Sequence, residues 1–346
     1  MKTMSEKPEQ MPDNVTDRPL VTFALFAYNQ EQYIREAVEG AFAQIYEPLE
    51  IILSDDCSSD RTYEIMQEMA AAYDGPHDVR VRRNKENLGF SDHINAVVKE
   101  ARGIFIVWAA GDDVSLSTRV KYLVKPFSSN PRLVGTYSDI REIDTAGVPT
   151  GKIRRKDKQV GSPTIINAIE RRFAINTQSH CFRKNMMEQF PPLNSDLTYE
   201  EPCMTVRELL TGCVEHVPKI TVNYRVGSGV STYQGKDIDR IKRTEPAKVA
   251  EWRRSSSQQI FDDLQFFAPN NYKSEKENLK KKISGAARLR EINLRSLMIR
   301  YALQNLHERI YVRETIRAFI RRNSPVLIFV IFKKIFSISK LMHKER

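Results

Sequence analysis

Between Leu20 and Tyr137 short apolar runs alternate with longer segments of helical pattern, which leaves few folds open to the chain. Strands are predicted at Val21–Ala27, Leu49–Ser54, Val79–Arg83, Ile104–Ala109 and Leu133–Tyr137, and helices at Glu31–Gln44, Arg61–Tyr73, Ser91–Ala101 and Ser117–Pro126. Such alternation reads as a parallel sheet with crossover helices. The first and fourth runs are apolar almost throughout, as strands covered on both faces are. The expected fold class is therefore α/β, a mostly parallel sheet flanked by helices.

After Asp144 the pattern loosens. Thr145 to Ser162 holds Gly147, Pro149, Gly151 and a Lys/Arg run and reads as a mobile connection or hairpin. A later helix, with Thr198 as a possible cap, runs through Met204 and Val206 to Leu210 and ends at Gly212. A strand at Val214–Val217 and the segment Ile220–Tyr224 close the globular part. The expected organisation is a disordered leader 1–18, a domain 19–234 with halves 19–145 and 146–234, and a basic helical extension 235–346.

Charge separates that extension from the rest. The chain carries +10 overall, yet Asn271 to Arg346 alone carries +13, so the remainder sums to −3. The segment 324–346 joins an apolar run, Val326 to Phe332, to Lys333, Lys334, Lys340, Lys344 and Arg346. A basic, apolar helix of this kind suits an anionic membrane surface, and packing on its own domain or on a second copy is the alternative. Lys333 and Lys334 interrupt the only stretch that approaches a membrane span. With a polar leader and four scattered cysteines, the expectation is a cytoplasmic protein, peripheral on a membrane. The tail's aromatics lie in apolar context without a stacking face, so no nucleic-acid partner is expected.

Chemistry-bearing residues follow the strands. Tyr28 and Asn29 follow the first, Asp55 and Asp56 the second, Asn87 and Gly89 come after the third, and Asp112 and Asp113 after the fourth. In an open parallel sheet these positions share the carboxyl rim, where such folds bind ligands. Two carboxylate pairs on one rim need a cation or hydrogen-bond donors between them, and magnesium or manganese carrying a diphosphate meets that need. The bland alternatives are that Ser59 or Asp60 caps the following helix and that Gly111-Asp112-Asp113 is only a turn.

The runs Phe26-Ala27-Tyr28-Asn29, Asp55-Asp56-Cys57-Ser58-Ser59-Asp60-Arg61-Thr62, Asn87-Leu88-Gly89 and Gly111-Asp112-Asp113 resemble, in order and spacing, glycosyltransferase family 2. The resemblance covers about Leu20 to Tyr224 and implies the GT-A (Rossmann-like) fold. It implies a nucleotide-sugar site lined by Ala27, Tyr28, Asn29, Asp55, Asp56, Asn87, Gly89 and Asp112, with Asp56 at the base. Asp112 and Asp113 stand at the DxD position, and Asp113 would be the direct ligand of Mg2+ or Mn2+.

Tyr199-Glu200-Glu201-Pro202, followed by Arg207, stands where the family carries its catalytic acid pair, so Glu201 would be the base and Glu200 its companion; a helix N-terminus that merely favours acids is the alternative. The chain departs from the family pattern at Ala110, two before Asp112, and at Val226-Gly227-Ser228, where relatives place a histidine. It also lacks the Q-x-x-R-W motif of processive synthases.

The implied activity is an inverting, non-processive transfer from a nucleoside-diphosphate sugar to a sugar or lipid-linked acceptor, in cell-surface polysaccharide or glycolipid synthesis. UDP is the carrier the resemblance implies first, with GDP and TDP open. A catalytically inactive nucleotide-sugar binder and a basic membrane- or nucleic-acid-binding protein are the competing classes.

Overall fold

β1 (Val21–Ala27) is buried at every residue and lies between two well-buried partners, β2 (Leu49–Asp55) and β4 (Phe105–Ala110), both parallel to it. β3 (Asp78–Arg83) adds a parallel edge beside β2. This is a computed structural model, and it describes residues 18–154, 163–175, 177–197, 200–227 and 246–285. All of these belong to the first of two units, Met1–Ala287; the expected leader and the segment 324–346 lie outside the described residues.

Beyond β4 the sheet becomes mixed. β8 (His180–Arg183) pairs antiparallel with β4 and with β6 (Leu133–Ile143), and β9 (Cys213–Arg225) runs parallel to β6. β5 (Val114–Ser115) closes that edge on β9, and β7 (Pro149–Arg154) returns on β6 as a hairpin. The resulting order is β3-β2-β1-β4-β8-β6-β9-β5. β6 continues past the predicted end at Tyr137 because its polar residues find partners in neighbouring strands. Ser138 Oγ meets Thr221 Oγ1 at 2.6 Å and Asp139 meets His216 at 2.8 Å. β9 joins the two predicted segments into one strand, absorbing Pro218 with register shifts against β6.

Alternate residues of β1 enter two cores, as a sheet covered on both faces requires. Phe23 and Leu25 pack with α1 (Ile34–Phe42), α2 (Thr62–Ala71) and α4 (Arg119–Val124). Ala24 and Phe26 pack with α3 (Phe90–Glu100) and α7 (Glu201–Thr211), α5 (Ile165–Ile169) and α6 (Lys184–Glu188) lying on the same side. The helix-sheet-helix sandwich expected from the alternation is thus present, and it holds the functional rim at the carboxyl ends of β1, β2 and β4.

α8 (Pro246–Phe267) joins this body through a buried ion pair. Arg207 of α7 gives Nε and Nη2 to the two oxygens of Asp263, both at 2.8 Å, and neither side chain is solvent-exposed beyond 1%. A second buried pair, His180 and Glu208 at 2.6 Å, ties α7 to β8. Gly135 in β6 faces that pair, and a Cβ there would collide with the Glu208 carboxylate.

Asp263→Ala strands the Arg207 charge in the core and is expected to cost about 3–5 kcal/mol, whereas Arg207→Met with Asp263→Leu recovers most of that loss. Urea midpoints of the three proteins check this, and a double variant no more stable than Asp263→Ala would contradict it.

Candidate active site

Register brings the rim together. Ala27 stands level with Asp55, and Phe26 level with Ala110, so Tyr28-Asn29, Asp56 and Asp112-Asp113 leave the sheet side by side. The β1–α1 and β2–α2 loops are laced to one another. Asn29, at φ 51°, donates its backbone N–H to Ser58 Oγ, and its Oδ1 accepts from Ser59 N at 2.8 Å. Glu31 N donates to Asp60 Oδ2, while Asp60 Oδ1 accepts from Thr62 N at 3.0 Å, so Asp60, one residue ahead of the Arg61 cap position, rather than Ser59 takes the first N–H of α2. Asn29 is therefore occupied in holding the loops, and half-buried Tyr28 is the residue of that pair that does not share in the lacing.

Capping does not account for Asp55 and Asp56. Asp55 lies wholly buried, 3.2 Å from Arg83 Nε, and Oδ2 accepts from Ser58 N at 2.9 Å; Oδ1 has no hydrogen-bond partner among the described residues. Asp56, 3% exposed, collects three donors: Asn84 Nδ2 (2.6 Å) and Leu88 N (2.9 Å) on Oδ1, and Gly89 N (3.0 Å) on Oδ2. Gly89 adopts φ +77°, a left-handed conformation that glycine takes without strain, and this turns its N–H toward both Asp56 and the Asn87 side chain at 3.0 Å. A carboxylate oxygen accepts two hydrogen bonds, so Oδ1 is saturated and Oδ2 retains one lone pair.

Asp112 and Asp113 are both buried, and β9 reaches them from its far end. Arg225 donates its backbone N–H to Asp113 Oδ1 and its Nε to the Asp112 carbonyl, both at 2.9 Å. The rest of its guanidinium goes to the Asp144 and Thr145 carbonyls and to Glu36 at 2.7 Å. Burial, and then the adjacent Asp112 charge, hold the Asp113 carboxyl well above the usual range. Tyr224, one residue back, is half-buried, with the Arg154 guanidinium 4.7 Å from its ring centre. Burial pushes its phenol up to about 12, and the charges of Asp113, Asp112 and Glu201 add to that rise. Glu201 thus shares one electrostatic neighbourhood with the DxD-position pair.

Glu200 and Glu201 open α7, with Pro202 in its first turn, and both are nearly buried. Desolvation first, and the Glu201 charge further down, push the Glu200 carboxyl up to about 7. Thr198 and Tyr199 lie outside the described residues.

Sequence reading passed over Arg225, Asn84 and Arg119. Arg119 is fully buried, bonded to Ser115 Oγ and to the Trp108 and Gln178 carbonyls, and burial lowers its pKa to about 10. Arg225, immediately after the predicted segment Ile220–Tyr224, and Asn84, immediately after β3, carry a positional signal; nothing local marks Arg119.

A Rossmann-like sheet extended by a mixed half, with acids gathered on its carboxyl rim, is the GT-A architecture of glycosyltransferases. TarS 1-349 of S. aureus, in complex with UDP-GlcNAc, superposes with a TM-score of 0.54 at 16% identity over 77% of this chain and 72% of that one. The mannosyltransferase PcManGT from Pyrobaculum calidifontis, in complex with GDP-Man and Mn2+, does so with 0.50 at 13% over 91% and 88%. At such identities the likeness is one of fold.

Residues 22–188 match glycosyl transferase family 2. An uncharacterized glycosyltransferase of Haemophilus influenzae is 26% identical over 238 residues, 65% of this chain and 72% of the relative. An uncharacterized protein of Mycobacterium tuberculosis is 30% identical over 209 residues, 58% of this chain and 56% of the relative, so the match spans little more than half of that protein.

Among the described residues no three His, Cys, Asp or Glu side chains are grouped to hold a metal. Asp112 and Asp113 still fit one: they are hard oxygen donors, and the like-charge burden on Asp113 is what a divalent cation relieves. Such a cation would need oxygen ligands from a bound diphosphate as well.

The Glu200 shift carries a consequence for stability. A free glutamate loses its proton near 4.5 and this one near 7, so between those values the folded chain holds a proton that the unfolded chain has lost. Stability therefore falls as pH rises from about 4.5 through about 7. Glu200→Gln is expected to match the wild type below pH 4.5 and exceed it above pH 7, by at most on the order of 3 kcal/mol. Urea midpoints at pH 4.5 and pH 8 test this, and an equal gap at both would contradict it.

Proposed function

We propose that this chain transfers a sugar from a nucleoside-diphosphate sugar to an acceptor hydroxyl, with inversion and one sugar per encounter. The supporting observation is the shared neighbourhood of Asp112, Asp113 and Glu201 around Tyr224, on the same rim as Asp56. In the proposed step the acceptor oxygen attacks the anomeric carbon as the bond to the diphosphate oxygen breaks. Glu201 takes the acceptor's proton, and the nucleoside diphosphate leaves on the opposite face. A positioned base of this kind contributes about 10²–10⁴-fold. Mg2+ or Mn2+ on Asp112 and Asp113 would neutralise the leaving diphosphate.

Asp56 also bears on the nucleotide. With one lone pair open on Oδ2, it suits a base that presents a single N–H, such as uracil or thymine, better than guanine with its adjacent N1–H and N2–H. UDP is accordingly the proposed carrier. Asn29, Asp55, Asn87 and Gly89 shape this end of the site, and Tyr28 and Ala27 would border the base and ribose.

A screen of nucleotide-sugar hydrolysis with and without manganese tests donor class and metal dependence together. Asp113→Asn is expected to abolish metal-dependent turnover while the thermal transition stays in place; unchanged activity would remove the metal assignment. Glu201→Gln should suppress transfer at least a hundredfold with donor affinity nearly intact. Equal loss of both would count against Glu201 as base.

We further propose that residues 324–346 attach the protein to the cytoplasmic face of an anionic membrane, which suits a lipid-linked acceptor and a role in cell-surface polysaccharide or glycolipid synthesis. No helix among the described residues is long and apolar enough to cross a membrane. Flotation with anionic liposomes is expected to carry the full chain but not one ending before Pro325, and equal flotation of both would defeat the attachment.

A further inference from the structure

Behind Asp56 runs a set of polar contacts that the transfer step itself does not use. Arg82, near the end of β3, distributes its guanidinium over three elements. Nη2 donates to Asn84 Oδ1 at 2.7 Å, Nη1 to Ser54 Oγ of β2 at 2.6 Å, and Nε to Glu100 Oε1 at the end of α3 at 3.1 Å. Asn84 in turn donates Nδ2 to Asp56 Oδ1 at 2.6 Å, and its backbone N–H bonds the Asp55 carbonyl at 2.9 Å. Ser54 Oγ also lies 2.5 Å from His93 Nε2. Burial holds His93 down at about 4, so its ring is neutral at physiological pH and the Ser54 hydroxyl, already accepting from Arg82, donates to Nε2.

The chemistry admits one orientation of the Asn84 amide. A guanidinium cannot accept a hydrogen bond and an ionised carboxylate cannot donate one, so the amide oxygen must face Arg82 and the NH2 must face Asp56. The charged donor on the oxygen also polarises the amide and strengthens its bond to the carboxylate. The result fills Oδ1 and fixes the plane of the Asp56 carboxylate.

We propose that Arg82 and Asn84 are positioning residues for the donor base: through Asn84, Arg82 locks Asp56 so that the open lone pair of Oδ2 is the one acceptor offered to a base N–H. The inference rests on the reading of Asp56 as the base-binding residue. Arg82 and Asn84 act through Asp56, so their expected effect falls on base discrimination and not on the affinity for phosphate groups.

The test uses the full chain with Mg2+ and measures binding of UDP, of UDP methylated at N3, and of inorganic pyrophosphate, with GDP and its N1-methyl analogue run in parallel. A hydrogen bond to a charged group is worth about ten- to a hundredfold in affinity, so the wild type should prefer the unmethylated nucleotide by at least about tenfold. Asn84→Ala and the milder Arg82→Lys are expected to cut that preference about three- to tenfold while pyrophosphate binds as in the wild type.

Retention of the full preference in both variants overturns the proposal. So does an equal loss of nucleotide and pyrophosphate, which would mark a purely structural role. Asp56→Asn separates the two levels of inference. If it leaves the preference intact, the base-binding reading itself falls; if it abolishes the preference while Asn84→Ala does not, only the positioning role falls.

Discussion

Two adjacent carboxylates in a buried place are the constraint around which this rim is organised. Asp112 and Asp113 repel one another, and burial removes the water that would otherwise screen them. Two arginines lie close, yet each is engaged elsewhere. Arg225 sets its side chain on three backbone carbonyls and Glu36, giving Asp113 only its backbone N–H, and Arg119 bonds Ser115 and two carbonyls. Their charges still ease the burden on Asp113, but burial and the neighbouring Asp112 outweigh them. A divalent cation held at Asp112 and Asp113, as proposed, would relieve that repulsion, and β9 brings the Arg225 backbone N–H to the same carboxyl.

The same economy extends to α7. Its first turn carries Glu200 and Glu201, while its later turns are anchored by Arg207–Asp263 and His180–Glu208, both wholly buried. Anchoring the helix through the adjacent residues Arg207 and Glu208 sets where its N-terminus falls, so the proposed base is positioned by buried polar pairs about two turns away. α8 thereby becomes part of the machinery's support, and the domain does not end at the rim-bearing sheet.

Much of the parallel half could be read from the sequence because its physics is local. Val21–Ala27 is apolar but for Thr22, and the polar residues that follow the strands fall on the rim by topology alone. What stayed hidden depended on distant partners. Ser138 to Glu142 looks like the exit from a strand, yet it continues β6 because Thr221, His216 and Arg154 receive its polar groups. Arg207 and Glu208 are charged residue types and yet fully buried, because they meet partners 56 and 28 residues away. Arg225 meets Asp113 across 112 residues. No local pattern encodes such pairings, and β8 escaped for the same reason, its four residues being too few to show a period.

The acid pair at the head of α7 divides its labour through burial. Glu200 is the carboxyl that desolvation drives toward its protonated form near neutrality, and a proton held there removes one negative charge from beside Glu201. Tyr224 adds no charge of its own, because a phenol pushed up to about 12 keeps its proton among the surrounding carboxylates. The proton on Glu200 lowers the charge that Glu201 would otherwise share with its neighbour, which suits the proposed division of tasks between a cation held at Asp112 and Asp113 and a proton accepted at Glu201.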